Sequence, residues 1–311
     1  MSLRAPRVIV AILVVVVAAG SICVFSPAAR ILVQRATQTS VAILLRRDNR
    51  CGVIESVQGM FVGYRRWAAR REISSKLRLL EGGRPGLTRW ATPRGEFWTP
   101  RGFGLANSLV KLETGVYSTG LVSVRPGDVV LDCGAGVGAF THEALDAGAT
   151  KVIAIEPAGD NLESLRRNFR PQLESGRVVV YGGGVWSRDT FLTLRVAKDQ
   201  QSNSMVLPNK SYERETLVSV TTIDRLAGSL GLPRVDFIKM DIEGSERHAL
   251  EGASAVLQRW RPRMAVAAYH LPDDLSVIAD IALRQVPTYR IQAGCCLLAQ
   301  GHVRPEMLYF Y

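Results

Sequence analysis

Acidic side chains and closely spaced glycines follow two apolar stretches that have the pattern of β-strands. Asp132 ends the first stretch, glycines follow it at Gly134, Gly136 and Gly138, and Glu156 ends the second stretch. Without Cβ atoms, the glycines let the backbone turn tightly and approach a ligand closely. A carboxylate about 20 residues beyond such a turn can accept hydrogen bonds from the hydroxyls of a ribose. The pattern therefore predicts a site for a ribose-bearing cofactor.

The residues around the glycines favour one such cofactor over another. A carboxylate at Asp132 suits a ligand with an ammonium and a sulfonium, as in S-adenosylmethionine, and would repel a pyrophosphate. Ala139 stands near where the dinucleotide motif G-x-G-x-x-G places its last glycine, but alanine is tolerated there. We therefore predict S-adenosylmethionine as the cofactor, and an NAD-dependent oxidoreductase remains the alternative.

A second group of acidic residues lies about a hundred residues further along the chain. Asp241 ends the predicted strand 235–241, and Glu243 and Glu246 follow before a helical pattern. Acidic residues in a first helical turn are stabilised by the helix dipole, which is a sufficient structural reason for Glu246. At a strand end beside the cofactor, Asp241 is predicted to face the cleft. Asp241 and Glu243 are thus candidate bases or ligands of an acceptor hydroxyl.

His270 is the first candidate for a general base. It follows the predicted strand 263–269, and an imidazole titrates near neutral pH. His142, His248 and His302 are spread along the chain without metal-ligand spacing, and we predict no catalytic role for them. We also predict no resident metal, although a divalent cation that bridges Asp241 and Glu243 stays an open alternative.

Strand and helix patterns alternate from residue 128 to residue 283, which predicts an α/β fold with a mostly parallel, doubly wound sheet. Ligands of such sheets bind at the carboxyl ends of the strands, where the acidic residues described above lie. Residues 188–218 interrupt the alternation with two strand-like runs and predict a β insertion or flap. Residues 82–104, rich in Gly and Pro, predict a linker that leads into a short hairpin, and a helix is predicted over Leu105–Glu113.

Two motifs carry a resemblance to a known family. Residues 130–136 with Ile155-Glu156-Pro157 look like the first two motifs of class I S-adenosylmethionine-dependent methyltransferases. Residues 236–246, Asp-Phe-Ile-Lys-Met-Asp-Ile-Glu-Gly-Ser-Glu, with Ala268-Tyr-His270 further on, resemble the FkbM-type methyltransferase family. The similarity covers roughly residues 100–292. The tail from Gly294 departs from the pattern, and the first ninety residues lie outside it.

The resemblance implies a Rossmann-like class I methyltransferase that methylates a hydroxyl of a sugar, glycolipid or polyketide-like acceptor. The residues that it places at the cofactor are Asp132, Gly134, Ala135, Gly136, Glu156, Pro157, Val185 and Asp241, and the candidate catalytic residues are His270, Asp241 and Glu243. A non-catalytic, membrane-tethered nucleotide-binding protein is a further alternative. We expect no nucleic-acid partner, because no Asn/Asp-Pro-Pro-aromatic motif follows the fourth strand.

The positive charge of the chain is concentrated before the glycine motif. Residues 1–90 contain 15 Lys and Arg against 4 Asp and Glu, whereas residues 91–311 contain 24 of each kind. Residues 8–25 form an uncharged, mostly apolar run of 18 residues. The run is long for the apolar region of a signal peptide and approaches the ~20 residues of a membrane span, so a retained anchor is favoured over a cleaved signal.

These observations predict a division into three regions: an anchor or signal sequence over 1–30, a basic juxtamembrane linker over 31–90, and a methyltransferase domain over 91–311. Arginines after the apolar run suit anionic lipid headgroups and favour a cytoplasmic catalytic domain. The five cysteines are odd in number and lack C-x-x-C spacing, which predicts reduced thiols in a reducing compartment rather than a disulfide framework or a zinc site.

Overall fold

The structure is a computed structural model that describes residues 34, 51, 53–82, 86–207, 212–299 and 302–311. The chain divides into two compact units, one of residues 1–69 with 293–306 and the other of residues 70–292 with 307–311. The helices, numbered along the described part of the chain, are α1 Val53–Lys76, α2 Leu105–Glu113, α3 Ala139–Asp146, α4 Gly159–Asn168, α5 Arg170–Glu174, α6 Ile223–Ser229, α7 Glu246–Glu251, α8 Ser254–Trp260 and α9 Asp274–Gln285.

The larger unit is built on a seven-stranded sheet. Its strands are β4 Val129–Cys133, β5 Lys151–Ile155, β6 Val178–Tyr181, β10 Phe237–Met240, β11 Arg263–Ala267, β12 Ile291–Ala293 and β15 Met307–Phe310. They lie in the order β12-β15-β11-β10-β4-β5-β6. The central strands β11, β10, β4, β5 and β6 are parallel, and β15 is antiparallel to β11. This order confirms the predicted Rossmann-like, mostly parallel fold.

The sequence explains why these strands lie in the middle of the molecule. Strands covered by helices on both faces are apolar throughout rather than alternating. Every residue of β4 and β10 is buried, as is every residue of β11 and β5 after the first. Leu131, Ile153 and Ile238 are among the largest completely buried side chains. The buried polar residues of these strands, Asp132 and Lys239, are therefore the exceptions that need a partner.

The helices that surround the sheet match most of the predictions. Helix α2 has the predicted bounds, and the Thr222 hydroxyl caps α6 by accepting a hydrogen bond from the Arg225 N–H. The helical pattern predicted after the second acidic group forms two helices, α7 and α8, separated at Gly252. A Cβ at Gly252 would lie 2.1 Å from the Trp186 carbonyl oxygen, so the chain passes too close there for any other residue.

Two smaller sheets also belong to the larger unit. The predicted insertion is confirmed as a sheet of β7 Gly184–Val185, β9 Tyr212–Thr221 and β8 Thr190–Ala197, in that order, with β8 and β9 antiparallel. Strands β1 Arg78–Glu81, β2 Leu87–Thr92 and β3 Gly95–Pro100 form the other sheet, which contains the predicted hairpin. The Trp98 N–H donates to the Asn168 side chain of α4, which fixes this hairpin beside the glycine turn.

The described part of the smaller unit contains the first part of α1 and a hairpin of β13 Cys296–Ala299 and β14 His302–Pro305. A disulfide joins Cys51 to Cys296, and Arg66 donates two hydrogen bonds to the Glu306 carboxylate. The prediction of reduced thiols was therefore wrong for one pair. The two cysteines are 245 residues apart, and pairing over such a distance cannot be deduced from spacing. Disulfides persist in oxidising compartments, which counts against the predicted cytoplasmic location.

The apolar run predicted as a membrane anchor, residues 8–25, lies outside the described residues. Among the described helices, none combines the length and the apolar composition that a bilayer crossing requires. The predicted division at residues 30 and 90 stays a prediction. The hairpin of β2 and β3, which begins before residue 91, belongs to the same compact unit as the seven-stranded sheet.

Candidate active site

The glycine turn directly follows β4 and packs against the end of β10. Gly134, Gly136 and Gly138 all have positive φ angles, which residues other than glycine rarely adopt. A Cβ at Gly134 would lie 2.3 Å from the Asp241 carbonyl oxygen, and one at Gly138 would lie 2.1 Å from the Phe169 ring. The glycines are therefore required both by the backbone conformation and by the close packing of the turn.

Glu156 lies at the end of β5 and holds this turn through backbone hydrogen bonds. Its carboxylate accepts from the Gly136 N–H at 2.8 Å, from the Ala158 N–H at 2.9 Å and from the Asn161 amide at 3.3 Å. The side chain is buried, and burial raises the pKa of Glu156 against the opposing effect of these donors. The predicted carboxylate is thus in place, at the wall of a cavity.

This first cavity holds most of the residues predicted to bind the cofactor. Of that set, Gly134, Gly136, Glu156, Pro157, Val185 and Asp241 line it. The remaining lining comes partly from the β insertion, through Leu194, Gln201, Asn203 and Met205. The predicted β insertion therefore forms one side of this cavity.

Asp132 does not have the predicted role. Its carboxylate is completely buried, accepts from the Thr141 hydroxyl at 2.7 Å and from the Lys239 ammonium at 3.0 Å, and lines neither cavity. Lys239 also donates to the carbonyl oxygens of Cys133 and Gly134. Because a lysine of β10 neutralises it, Asp132 supports the glycine turn from beneath instead of meeting a cationic ligand.

A second cavity, of about 350 Å³, shares the glycine turn with the first. Ala135, the remaining predicted cofactor residue, lines this cavity. Its wall is polar on the side of α2 and the strand ends, where Lys111, Tyr117, Lys239 and Tyr269 lie. Asp241 and Glu243 line both cavities, so they mark the place where the two meet.

Asp241 is the most strongly engaged carboxylate at that meeting point. Its Oδ2 accepts from the Lys111 ammonium at 2.6 Å and from the Tyr117 hydroxyl at 2.7 Å. Burial opposes the charged form, but Lys111, His270 and Lys239 outweigh burial and hold the pKa of Asp241 well below its usual value. Asp241 is therefore a stable anion at neutral pH and a weak proton acceptor.

His270 is buried among three carboxylates. Its Nε2 lies 3.7 Å from Asp241 Oδ1 and 3.6 Å from Glu243 Oε2, and its Nδ1 lies 3.0 Å from Glu246 Oε1. Burial lowers the pKa of His270, but Glu246 and Glu243 reverse that effect and hold it well above the usual value. An imidazolium cannot accept a proton, so the structure does not favour the predicted base role for His270 in this state.

Several residues of the site were not identified from the sequence. Lys111 and Tyr117 come from the region before β4, and no local motif connects them with Asp241, more than a hundred residues away. Asn161 holds Glu156 from the first turn of α4. Lys239 is different, because a lysine within an otherwise apolar buried strand is itself a signal of a buried partner, and that signal was in the sequence.

The strand order, the glycine turn and the carboxylate at the end of β5 together define a class I methyltransferase fold. Residues 132–286 match the family model described as a methyltransferase FkbM domain. The chain is 32% identical over 181 residues to the 31-O-demethyl-FK506 methyltransferase FkbM of Streptomyces tacrolimicus, covering 48% of this chain and 68% of that protein. The chain belongs to the FkbM-type methyltransferase family, as the sequence motifs predicted.

Solved structures of methyltransferases are also similar to this chain. The methyltransferase FkbM from Methylobacillus flagellatus KT is 21% identical with a TM-score of 0.47, covering 90% of this chain and 60% of that one. Precorrin-6y C5,15-methyltransferase from Geobacter metallireducens GS-15 is 14% identical with a TM-score of 0.37, covering 66% of this chain and 85% of that one. This chain thus spans less than two thirds of the Methylobacillus protein.

Proposed function

We propose that this protein transfers the methyl group of S-adenosylmethionine to a hydroxyl of a sugar, glycolipid or polyketide-like acceptor. The observation that carries the proposal is that two cavities meet at Asp241 and Glu243, one beside the glycine turn and Glu156, the other polar and wide enough for part of an acceptor. Membership of the FkbM-type family supports methyl transfer. Neither an NAD-dependent oxidoreductase nor a non-catalytic binding protein is favoured by that membership.

We place the nucleoside part of the methyl donor beside the first cavity, whose lining residues have the chemistry to bind it. Glu156 lies at its wall as a carboxylate whose remaining acceptor capacity can bind ribose hydroxyls, and the Gly134–Gly136 backbone permits close approach. Val185 and Pro157 supply apolar surface beside it, which suits the flat face of an adenine. S-adenosylmethionine, when bound, supplies an electrophilic methyl group on a sulfonium. The protein supplies binding and orientation.

The second cavity is where we place the acceptor. In the transfer, an acceptor oxygen forms a bond to the methyl carbon while the carbon–sulfur bond breaks and its electron pair returns to sulfur. The hydroxyl proton passes to a carboxylate of the protein. We assign that role to Glu243, because it lines both cavities, whereas the pKa of Asp241 is held low and the pKa of His270 favours the protonated form.

Asp241 then acts mainly by positioning. Its carboxylate ties Lys111 and Tyr117 to the end of β10, and all three line the second cavity. A hydroxyl that reaches this cluster meets both donors and acceptors, which can align it with the methyl group. Positioning of this kind supplies a large part of the rate in group transfer.

The test is methyl transfer from labelled S-adenosylmethionine to a panel of acceptors that includes a glycolipid extract and 31-O-demethyl-FK506. We expect a labelled O-methyl product with the native protein, and a loss of about 100-fold or more with Asp241→Asn, since orientation of the acceptor is lost. S-adenosylhomocysteine should bind Asp241→Asn within about fivefold of the native affinity, by calorimetry, because Glu156 carries the donor contacts.

A matched control is Asp236→Asn, since Asp236 is a carboxylate beside the opposite end of β10 and outside both cavities. This variant should transfer methyl groups at the native rate. The proposal would be refuted by native turnover in Asp241→Asn, or by NAD binding more tightly than S-adenosylhomocysteine.

A further inference from the structure

Asp241, Glu243 and His270 bring three potential metal-ligand atoms close together, which acceptor binding alone does not require. One ligand-type atom from each side chain lies within 4.8 Å of the others. The three residues come from the ends of two adjacent parallel strands, β10 and β11, and from the loop after β10. Their side-chain atoms therefore converge because neighbouring strand ends meet at one edge of the sheet.

The imidazole of His270 is held from its far side. Nδ1 lies 3.0 Å from Glu246 Oε1, and Glu246 is completely buried. The carboxylate of Glu246 is itself fixed by the N–H groups of Ile242 and Gly244, at 2.8 and 2.9 Å. Glu246 thus lies against the Nδ1 side of the ring, and Nε2, which can bind a metal ion once its proton is lost, points away from it. Histidine ligands of metal ions commonly have a carboxylate beside the ring nitrogen that does not bind the metal.

Nε2 of His270, on the near side, is aimed at the carboxylates. It is buried, and neither Nε2 nor Nδ1 has a partner in hydrogen-bond geometry within the described residues. Its separations of 3.7 Å from Asp241 Oδ1 and 3.6 Å from Glu243 Oε2 are too long for hydrogen bonds. They are close to the ~3.4 Å between two ligands that each lie about 2.1 Å from a tetrahedral ion.

The carboxylates of Asp241 and Glu243 are also placed to bind an ion beside His270. On Asp241, Oδ2 is occupied by Lys111 and Tyr117, whereas Oδ1 faces His270, with the Tyr269 hydroxyl 3.4 Å away. Glu243 has a φ of +54°, a conformation that is unfavourable for a residue with a side chain. The loop accepts this strain, and the Glu243 carboxylate is thereby brought to the histidine.

We propose that Asp241 Oδ1, Glu243 Oε2 and His270 Nε2 bind one divalent transition-metal cation, with Glu246 orienting the histidine. A donor set of two carboxylate oxygens and one imidazole nitrogen suits Mn²⁺, Fe²⁺ or Zn²⁺ better than Mg²⁺ or Ca²⁺, which prefer oxygen alone. The ion would lie where the two cavities meet. Its role rests on the proposed function, because there it would bind the acceptor hydroxyl and make it more acidic.

The experiment measures Mn²⁺ binding alone, by loss of the free-ion electron paramagnetic resonance signal, with the full chain and without donor or acceptor. We expect one equivalent to bind, and Glu243→Gln to weaken binding by at least about tenfold through loss of one charged ligand. His270→Asn should weaken it further. His270 is buried, so its variant could misfold. Glu243 is more exposed, and its variant keeps the test decisive. Binding of S-adenosylhomocysteine checks that each variant is folded.

His142→Gln is the matched control, since His142 pairs with Asp146 at the surface at 3.0 Å and should leave Mn²⁺ binding unchanged. The proposal is overturned if the native protein binds no stoichiometric Mn²⁺, or if Glu243→Gln binds it with native affinity. It is also overturned if His142→Gln loses as much affinity as Glu243→Gln. Absence of methyl transfer to every acceptor, with Mn²⁺ binding intact, would instead count against the proposed function.

Discussion

The two cavities are built in different ways. Around the first, Glu156 receives two backbone N–H groups, and its carboxylate lies within one continuous segment of strand, turn and helix. Around the second, Asp241 receives Lys111 and Tyr117, side chains that are 130 and 124 residues away in the sequence. The proposed donor side thus depends on local backbone geometry, and the proposed acceptor side depends on charged side chains gathered from separate elements.

This difference indicates how a family can keep one donor and change acceptors. Backbone N–H groups and glycines leave little freedom for substitution, because φ angles and close contacts fix them. Side chains from α2 and from the loop before β4 can change without disturbing β4 or β5. We therefore expect acceptor choice to be determined by residues such as Lys111 and Tyr117, which line only the second cavity.

The largest expected effect comes from a residue that links the two sides. Lys239 belongs to β10 on the acceptor side but holds Asp132 and two carbonyl oxygens of the donor turn. Lys239→Met leaves the completely buried Asp132 without a counter-charge, which should lower the free energy of unfolding by about 3–5 kcal/mol in urea titrations. The double variant Lys239→Met with Asp132→Asn should recover part of that loss. A loss below about 1 kcal/mol in the single variant would contradict the structural role of this pair.

A smaller effect would sharpen the description of the donor side. Glu156→Gln replaces one acceptor oxygen with an amide donor that faces the N–H of either Gly136 or Ala158. Affinity for S-adenosylhomocysteine, measured by calorimetry, should fall by about 10- to 100-fold, the cost of one or two charge-assisted hydrogen bonds. Glu163→Gln, on the exposed face of α4, should bind with native affinity. Equal affinities in the two variants would show that Glu156 does not contact the ribose.

The smallest expected effect is a pH dependence of the free energy of unfolding, and it comes from Glu143 in α3, the helix that follows the glycine turn. Burial raises the pKa of Glu143 from 4.5 to about 6, so folding takes up a proton between these values. The neutral form therefore stabilises the folded state below pH 4.5, and this contribution is lost as pH rises through 6. In Glu143→Gln the stability difference from the native protein should grow by roughly 1 kcal/mol between pH 4 and pH 7, by urea unfolding. A pH-independent difference would contradict it.

Prediction from the sequence succeeded for the parallel sheet and for a glycine turn held by Glu156, which depend on short stretches of consecutive residues. The strand, the glycines and Glu156 follow each other, so their spacing alone indicated a cofactor turn. Asp132 was wrongly predicted to contact the cofactor. A carboxylate at a strand end can face either a ligand or the protein interior, and the position of its partner determines which. That partner, Lys239, lies 107 residues away.

The acceptor side shows the same limit more strongly. Asp241, Glu243 and His270 were identified as a group because they follow predicted strands, but their protonation states depend on Lys111 and Glu246 through space. The bond between Cys51 and Cys296 is a further case, since a count of cysteines contains no information about which chain positions meet.

That bond also has a consequence for the biosynthesis of the protein. Translation proceeds at about 5–20 residues per second, so Cys296 is made some ten seconds or more after Cys51. The native bond cannot form until 245 further residues have been added, and two cysteines, Cys295 and Cys296, then arrive next to each other. Oxidation of Cys51 before Cys296 has been made cannot produce the native pair, and a bond to Cys295 would place the wrong residue beside Cys51. Correct pairing is therefore a late event, and a disulfide isomerase is the class of catalyst that would correct the error.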